Sequence, residues 1–98
     1  MKYLVNLSYN GSKYYGYQIQ KNKITVEGQI EKVLSKIFNS NINTHGTSRT
    51  DKSVHANNQY CVFEVDKDIN PKNLAHSMNS MLDDYIYIKK ITTYKSNN

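Results

Sequence analysis

The residues best suited to chemistry lie in one polar stretch, "SRTDKSVHA", which runs from Ser48 to Ala56. It holds Arg49, the only arginine of the chain, two residues before Asp51, whereas the other twelve basic side chains are lysines. Neighbouring cations favour the charged form of an aspartate, so we expect Asp51 to be ionised and able to act as a nucleophile or a base. A guanidinium is planar and forked, which suits Arg49 to bidentate phosphate contact or to insertion against a base.

The same residues also fit a simpler interpretation. Small polar side chains around Arg49 and Asp51 predict a loop, in which the two charges could pair at the surface and contribute little to stability. His55, a single histidine near the start of a strand, fits a structural role. The spacing of histidines and carboxylates does not predict a metal site. The residues of the loop alone leave these alternatives open.

Composition bounds the class of protein. The 98 residues are enough for one domain with a modest core. A net charge of +5 favours a polyanionic partner, although a lysine-rich chain can also reflect biased codon usage. Cys61 is the only cysteine, which excludes an intramolecular disulfide, and its apolar neighbours predict burial. No stretch resembles a membrane span or a signal peptide, so we expect a cytoplasmic protein.

The elements that would position the loop follow from periodicity and capping signals. Thr25 is a candidate N-cap for the first helix, and Asn70 with Pro71 opens the second. The predicted elements are strand Lys2–Tyr9, a turn at Asn10–Ser12, helix Val26–Asn39, a possible short strand within Ile42–Ser48, strand Tyr60–Val65, a helix with Leu74, Ala75, Met78, Met81 and Leu82 on its apolar face, and strand Tyr85–Tyr94. This order predicts an α+β, ferredoxin-like (split βαβ) sandwich, with two helices on one face of an antiparallel sheet.

Four motifs in order resemble the TruA family of tRNA pseudouridine synthases. "SRTDKSVHA" is similar to the signature loop of that family, and "YNGSKYYGYQIQ" (Tyr9 to Gln20) is similar to its first motif. "TVEGQIEKVLSKIF" and "NLAHSMNSMLDDYIYI" are similar to its two helical motifs. The resemblance is collinear over nearly the whole chain. It implies an N-terminal catalytic half, residues 1–98, of an enzyme whose C-terminal domain forms the other wall of the cleft.

The resemblance also implies roles for individual residues. Asp51 matches the catalytic aspartate, taken as the nucleophile, and Arg49 matches the arginine that helps hold the target uridine out of its stack. The candidate RNA contacts are Lys52, Lys13, Lys21 and His55. The implied partner is the anticodon stem-loop of tRNA, the full-length family member is expected to be a homodimer, and neither a cofactor nor a metal is required. A non-catalytic RNA-binding module and an inactive fragment are the alternatives.

The sequence departs from the family pattern at four positions. Ser48 and Ser53 stand where glycines usually flank the loop motif, which costs strain if those positions need a positive φ. Asn10 replaces the usual aspartate of the first motif, and Asp83 stands where a proline is common. Since the resemblance covers only the first half of the family, the chain could be a shortened protein, a natural fragment or half of a split enzyme.

Overall fold

The computed structural model describes residues 1–14, 21, 23–46 and 55–94. The elements are β1 (Lys2–Asn10), a 3-10 turn (Gly11–Lys13), α1 (Val26–Phe38), β2 (Thr44–Gly46), β3 (His55–Glu64), α2 (Pro71–Met81) and β4 (Ile86–Thr93). None of the helices within these ranges is long and apolar enough to cross a membrane.

The four strands form one antiparallel sheet in the order β2-β3-β1-β4. Because β3 lies between β1 and β2, the β1-α1-β2 unit is split, as the ferredoxin-like prediction requires. The strand predicted over Tyr60–Val65 is central, as expected, but it begins earlier, at His55. The predicted short strand within Ile42–Ser48 is confirmed as β2.

Local capping explains where the helices begin and end. Thr25 Oγ1 accepts a hydrogen bond from the Gly28 N–H at 3.2 Å, as its N-cap position predicts. Asn70 Oδ1 accepts from two N–H groups of the first turn of α2, and Pro71 occupies the first helical position. The first helix ends one residue before the predicted end, because Asn39 is its C-cap in the left-handed region, with φ 53° and ψ 40°.

Both helices cover the same face of the sheet. The buried residues of this core are Tyr3, Val5, Leu7 and Tyr9 of β1, Val26, Ile30, Val33 and Leu34 of α1, and Leu74 and Met78 of α2, together with residues of β3 and β4. Cys61 is fully buried among them, as predicted. Met81 is 41% exposed, so its predicted place on the buried face is wrong. The helix ends there, and Leu82, in an extended conformation, packs against the core instead.

Two bulges change which side chains face the core. Between Leu7 and Tyr9 of β1, β3 carries one extra residue, and between Asn6 and Leu7, β4 carries one extra residue. A one-residue shift moves the following side chains to the opposite face. Ile88 and Ile91 are therefore both buried although three positions separate them.

Candidate active site

The strand ends that border the candidate motifs include Asn10 and His55, which lie opposite each other at one end of the sheet. Gly46 ends β2 and His55 begins β3, so they flank the segment that contains Asp51. Asn10, the last residue of β1, pairs with His55. The Asn10 N–H donates to the Tyr85 carbonyl oxygen at 2.8 Å. The end of β1, the start of β3 and the turn before β4 therefore lie at the same end of the sheet, and Asn10 joins them.

The turn after β1 is held by its own side chains. Asn10 Oδ1 accepts from the Ser12 N–H at 3.1 Å and from Ser12 Oγ at 2.8 Å, and the Tyr14 N–H donates to the Gly11 carbonyl oxygen at 2.9 Å. This confirms the turn predicted at Asn10–Ser12. An amide oxygen caps an N–H as well as a carboxylate does, so replacing the usual aspartate with Asn10 removes a charge but keeps the cap.

Tyr14 links this turn to the one before β4. Its hydroxyl donates to Asp83 Oδ2, while Asp83 Oδ1 accepts from the Tyr85 N–H at 2.9 Å. Burial raises the pKa of Tyr14 well above its ordinary value, and the hydrogen bond to Asp83 and the negative charge of that carboxylate raise it further. Tyr14 is therefore a neutral donor across the physiological range, and the two Asp83 oxygens are held by two different partners.

The position of β2 is fixed by side chains of α1. The Thr44 N–H donates to Glu31 Oε2 at 2.7 Å, and Thr44 Oγ1 lies 3.1 Å from both Glu31 Oε2 and Glu27 Oε2. Ser35 lies one turn after Glu31 on α1, and its Oγ accepts from the Ile42 N–H at 2.9 Å. These bonds anchor the strand that leads into the candidate catalytic segment.

A buried glutamine lies on β3, close to the same end of the sheet. Gln59 is 1% exposed, pairs with Leu7, and its Nε2 donates to the Tyr60 carbonyl oxygen at 3.3 Å. Its Oε1 has no hydrogen-bond partner among the described residues. An acceptor buried in this way carries a desolvation cost of about 1–3 kcal/mol.

The predicted site residues divide into two groups. Asp51, Arg49 and Lys52 lie outside the described residues. Lys13 ends the 3-10 turn, Lys21 is exposed in the connection that follows, and His55 begins β3 opposite Asn10. The structure thus brings the backbones of Lys13 and His55 to the end of the sheet where β3 begins after the segment with Asp51.

Three features of the described structure were not predicted from the sequence: the Tyr14–Asp83 bond, the anchoring of Thr44 by glutamates, and the buried Gln59. The only sequence signal for any of them was Asp83 in place of the common proline. Within the described ranges, no group of three or more His, Cys, Asp or Glu side chains could hold a metal ion.

Comparison with known proteins gives a consistent result. A family model described as tRNA pseudouridine synthase matches residues 7–96. The chain is 48% identical to the tRNA pseudouridine synthase A of Borrelia turicatae over 90 residues, which are 92% of this chain and 37% of that protein. It is 40% identical to the enzyme of that name from Staphylococcus carnosus over 92 residues, which are 94% of this chain and 34% of the relative. It is 45% identical to the tRNA pseudouridine synthase A of Malacoplasma penetrans over 93 residues, which are 93% of this chain and 38% of that protein.

The split sheet, with both helices on one face, defines a ferredoxin-like α+β domain. On the family match and these identities, the chain belongs to the tRNA pseudouridine synthase family, TruA type. It spans somewhat more than a third of the length of the curated relatives it matches, 34% to 38% in these three.

Proposed function

We propose that the chain is the N-terminal, catalytic part of a tRNA pseudouridine synthase, which isomerises uridines of the anticodon stem-loop to pseudouridine. The observation that carries this proposal is the family match over residues 7–96, which includes the loop "SRTDKSVHA". The matched relatives bear the name tRNA pseudouridine synthase A. The remaining part of the family's length would supply the second wall of the cleft.

The reaction needs few chemical groups. The bond between N1 of uracil and C1′ of the ribose breaks, the ring rotates, and a bond from C5 to C1′ forms. The proton lost from C5 is balanced by one taken up at N1, so the reaction consumes no other reactant. An ionised Asp51 could attack the sugar or the ring, or accept the C5 proton.

Arg49 would act before the chemistry. The uridine must leave its stack to reach a carboxylate, at a cost of a few kcal/mol. A planar guanidinium can take the place of the extruded base and stack on its neighbours, which an ammonium cannot do. This role accounts for one arginine in a chain whose other basic residues are all lysines.

The described residues support a tRNA partner through charge and position. The net charge is +5, and Lys21 is exposed in the connection between β1 and α1. Lys13 and His55 belong to backbone segments at the same end of the sheet. With Lys52 they would contact phosphates. The complete enzyme would act as a homodimer in the cytoplasm, without a cofactor or metal.

The proposal is tested with Asp51→Asn in a protein that includes the second half of the family's length, joined or supplied in trans. The substitution keeps the shape of the side chain but removes its charge, so we expect single-turnover pseudouridine formation to disappear while tRNA binding stays within a few fold. The 98 residues alone should show no turnover. Turnover by Asp51→Asn at the unsubstituted rate would contradict the catalytic role.

Arg49→Lys separates base extrusion from charge. It keeps the positive charge and loses the plane, so tRNA binding should persist while the single-turnover rate falls. An unchanged rate would refute the proposed role of Arg49. Salt-dependent tRNA binding without turnover by the unsubstituted protein, with the second half present, would instead support the alternative function, a non-catalytic RNA-binding module.

A further inference from the structure

The contact between Tyr14 and Asp83 joins two segments that are far apart in sequence and adjacent at the candidate site. The Tyr14 hydroxyl donates to one oxygen of the Asp83 carboxylate, and the Tyr85 N–H donates to the other at 2.9 Å. Because both oxygens are engaged, the carboxylate has a fixed orientation. A charge-assisted hydrogen bond of this kind is stronger and more directional than one between neutral groups.

The turn that Tyr14 ends is tied at both of its ends. At its start, the Asn10 N–H donates to the Tyr85 carbonyl oxygen at 2.8 Å. At its other end, the side chain of Tyr14 bonds to that of Asp83. Tyr14 is partly buried and packs against the core, so its ring is held in place on one side as well. The backbone bond at Asn10 cannot be removed by changing a side chain, whereas the bond at Tyr14 can.

The position of this link relates it to the candidate catalytic segment. Asn10 pairs with His55, the first described residue after the segment that contains Asp51. A shift of the turn after β1 against the turn before β4 would therefore be passed to the start of β3. Small displacements matter at such a place, because a misplacement of about 1 Å can cost on the order of 100-fold in rate.

We propose that Tyr14 and Asp83 form a positioning pair for the pseudouridine reaction. The pair holds the turn after β1 against the turn before β4, so that the cleft keeps the geometry in which the extruded uridine meets Asp51. Neither residue needs to touch the reacting atoms. This inference rests on the proposed function, and it adds to that function two residues that act through the position of others.

The pair should affect the rate and not the affinity. Binding of tRNA depends on contacts between lysines and phosphates that are spread over the surface, so it does not require one exact cleft geometry. Tyr14→Phe removes only the hydroxyl, and Asp83→Ala removes the acceptor. We expect each to lower the single-turnover rate on the order of 10-fold to 100-fold, with tRNA affinity within about twofold.

A double-substitution cycle tests whether the two residues act as a unit. The rate of the Tyr14→Phe, Asp83→Ala protein should fall no further than that of the slower single variant, because the first change already removes the bond. Asp83→Asn, which can still bond to the tyrosine hydroxyl, should recover part of the rate. Tyr94→Phe and Asp84→Ala are matched controls that change a hydroxyl and an exposed neighbouring acid, and both should keep the original rate.

The measurements use the complete enzyme at a temperature where circular dichroism shows every variant folded. The positioning role would be overturned by any of three results. The rate of the double variant could fall by the product of the two single losses, neither single change could alter the rate, or affinity and rate could fall equally. Absence of turnover in the unsubstituted enzyme would overturn the proposed function and this inference together. Turnover that depends on Asp51 but not on Tyr14 or Asp83 would leave the function standing and refute only the pair.

Discussion

Tyr14 keeps its hydroxyl proton at alkaline pH because burial and the neighbouring Asp83 carboxylate both disfavour the tyrosinate. Its pKa in the folded protein therefore lies above the ordinary tyrosine value of about 10, which applies to the unfolded chain. Below that ordinary value the hydroxyl is protonated in both states, and its contribution to stability is fully present. Above it, the unfolded chain loses the proton first, so this contribution falls as the pH rises towards the folded pKa.

The pH dependence of unfolding tests this behaviour. The free energy of unfolding, measured with denaturant, should be larger for the original chain than for Tyr14→Phe. This difference should be constant below about pH 9.5 and should shrink above about pH 10. One proton changes stability by at most about 1.4 kcal/mol per pH unit, and the partial exposure of Tyr14 makes the effect smaller than this limit. A difference that stays constant to about pH 11 would mean that the Tyr14 pKa is not raised. Tyr94→Phe is the control for removing a tyrosine hydroxyl elsewhere in the chain.

Single residues were predictable from the sequence where their role is local. Thr25, Asn70 and Pro71 act on backbone groups within three positions of themselves, so their residue types were sufficient evidence. The bond of Tyr14 to Asp83 joins positions 69 apart, and Gln59 is buried by the whole sheet and its helices. Contacts of that kind depend on the tertiary fold, which residue types alone do not encode.

At the scale of elements, α1 and β2 are joined by polar bonds more than by apolar contact. Thr44 is 6% exposed and begins β2 beside two glutamates of α1. Glu31 accepts from its N–H, and the carboxylates of Glu31 and Glu27 both lie within reach of its hydroxyl. A short strand has little apolar surface of its own to bury. Its placement beside β3 is therefore sensitive to the removal of these bonds.

Thr44→Val tests that sensitivity. Valine has nearly the same shape and keeps the N–H bond to Glu31, but it offers no hydroxyl to the two carboxylates. Hydrogen bonds to charged groups contribute about 1.5–3 kcal/mol, so the free energy of unfolding should fall by about that amount. Thr92→Val on β4, where no side-chain hydrogen bond is found among the described residues, should change it by less than about 0.5 kcal/mol. Equal effects at the two positions would contradict the anchoring role.

The elements themselves were largely predictable, and their irregularities were not. Alternation and helical periodicity predicted the three long strands and both helices, because each buries one face, whereas β2 was predicted only as a possible short strand. The bulges were missed because an extra residue interrupts the alternation that identifies a strand. The second long strand was therefore predicted to begin only at Tyr60, although Asn57 and Asn58 also belong to β3.

At the scale of the whole molecule, the sheet order brings the end of β1, the start of β3 and the turn before β4 to one end. The order of elements predicted the ferredoxin-like arrangement, and from that arrangement the placement of the connections follows. The candidate site could be predicted only as far as its segment, because Asp51, Arg49 and Lys52 were assigned by resemblance and lie outside the described residues. The charge of the molecule offers a separate way to examine how this end meets RNA.

Salt dependence tests whether the basic residues near this end bind phosphate. Each phosphate neutralised by a lysine releases counterions, which makes the logarithm of the affinity fall with the logarithm of the salt concentration. We therefore expect affinity of the complete enzyme for an anticodon stem-loop to weaken steeply from low to moderate salt. Lys52→Gln, and to a smaller extent Lys13→Gln and Lys21→Gln, should reduce that slope by about 0.7–0.9 for each phosphate that the lysine no longer neutralises.

The control lies at the other end of the sheet. Lys67 is exposed beyond the end of β3, next to the N-terminus, where the Met1 ammonium donates to the Val65 carbonyl oxygen at 2.6 Å. Lys67→Gln removes the same charge from the molecule as the other substitutions. If RNA responds only to the net charge of +5, all four variants should weaken binding equally. A slope that changes for Lys52 and not for Lys67 would instead assign the phosphate contacts to the end of the sheet where β3 begins after the segment with Asp51, because counterion release counts only the charges that meet phosphate.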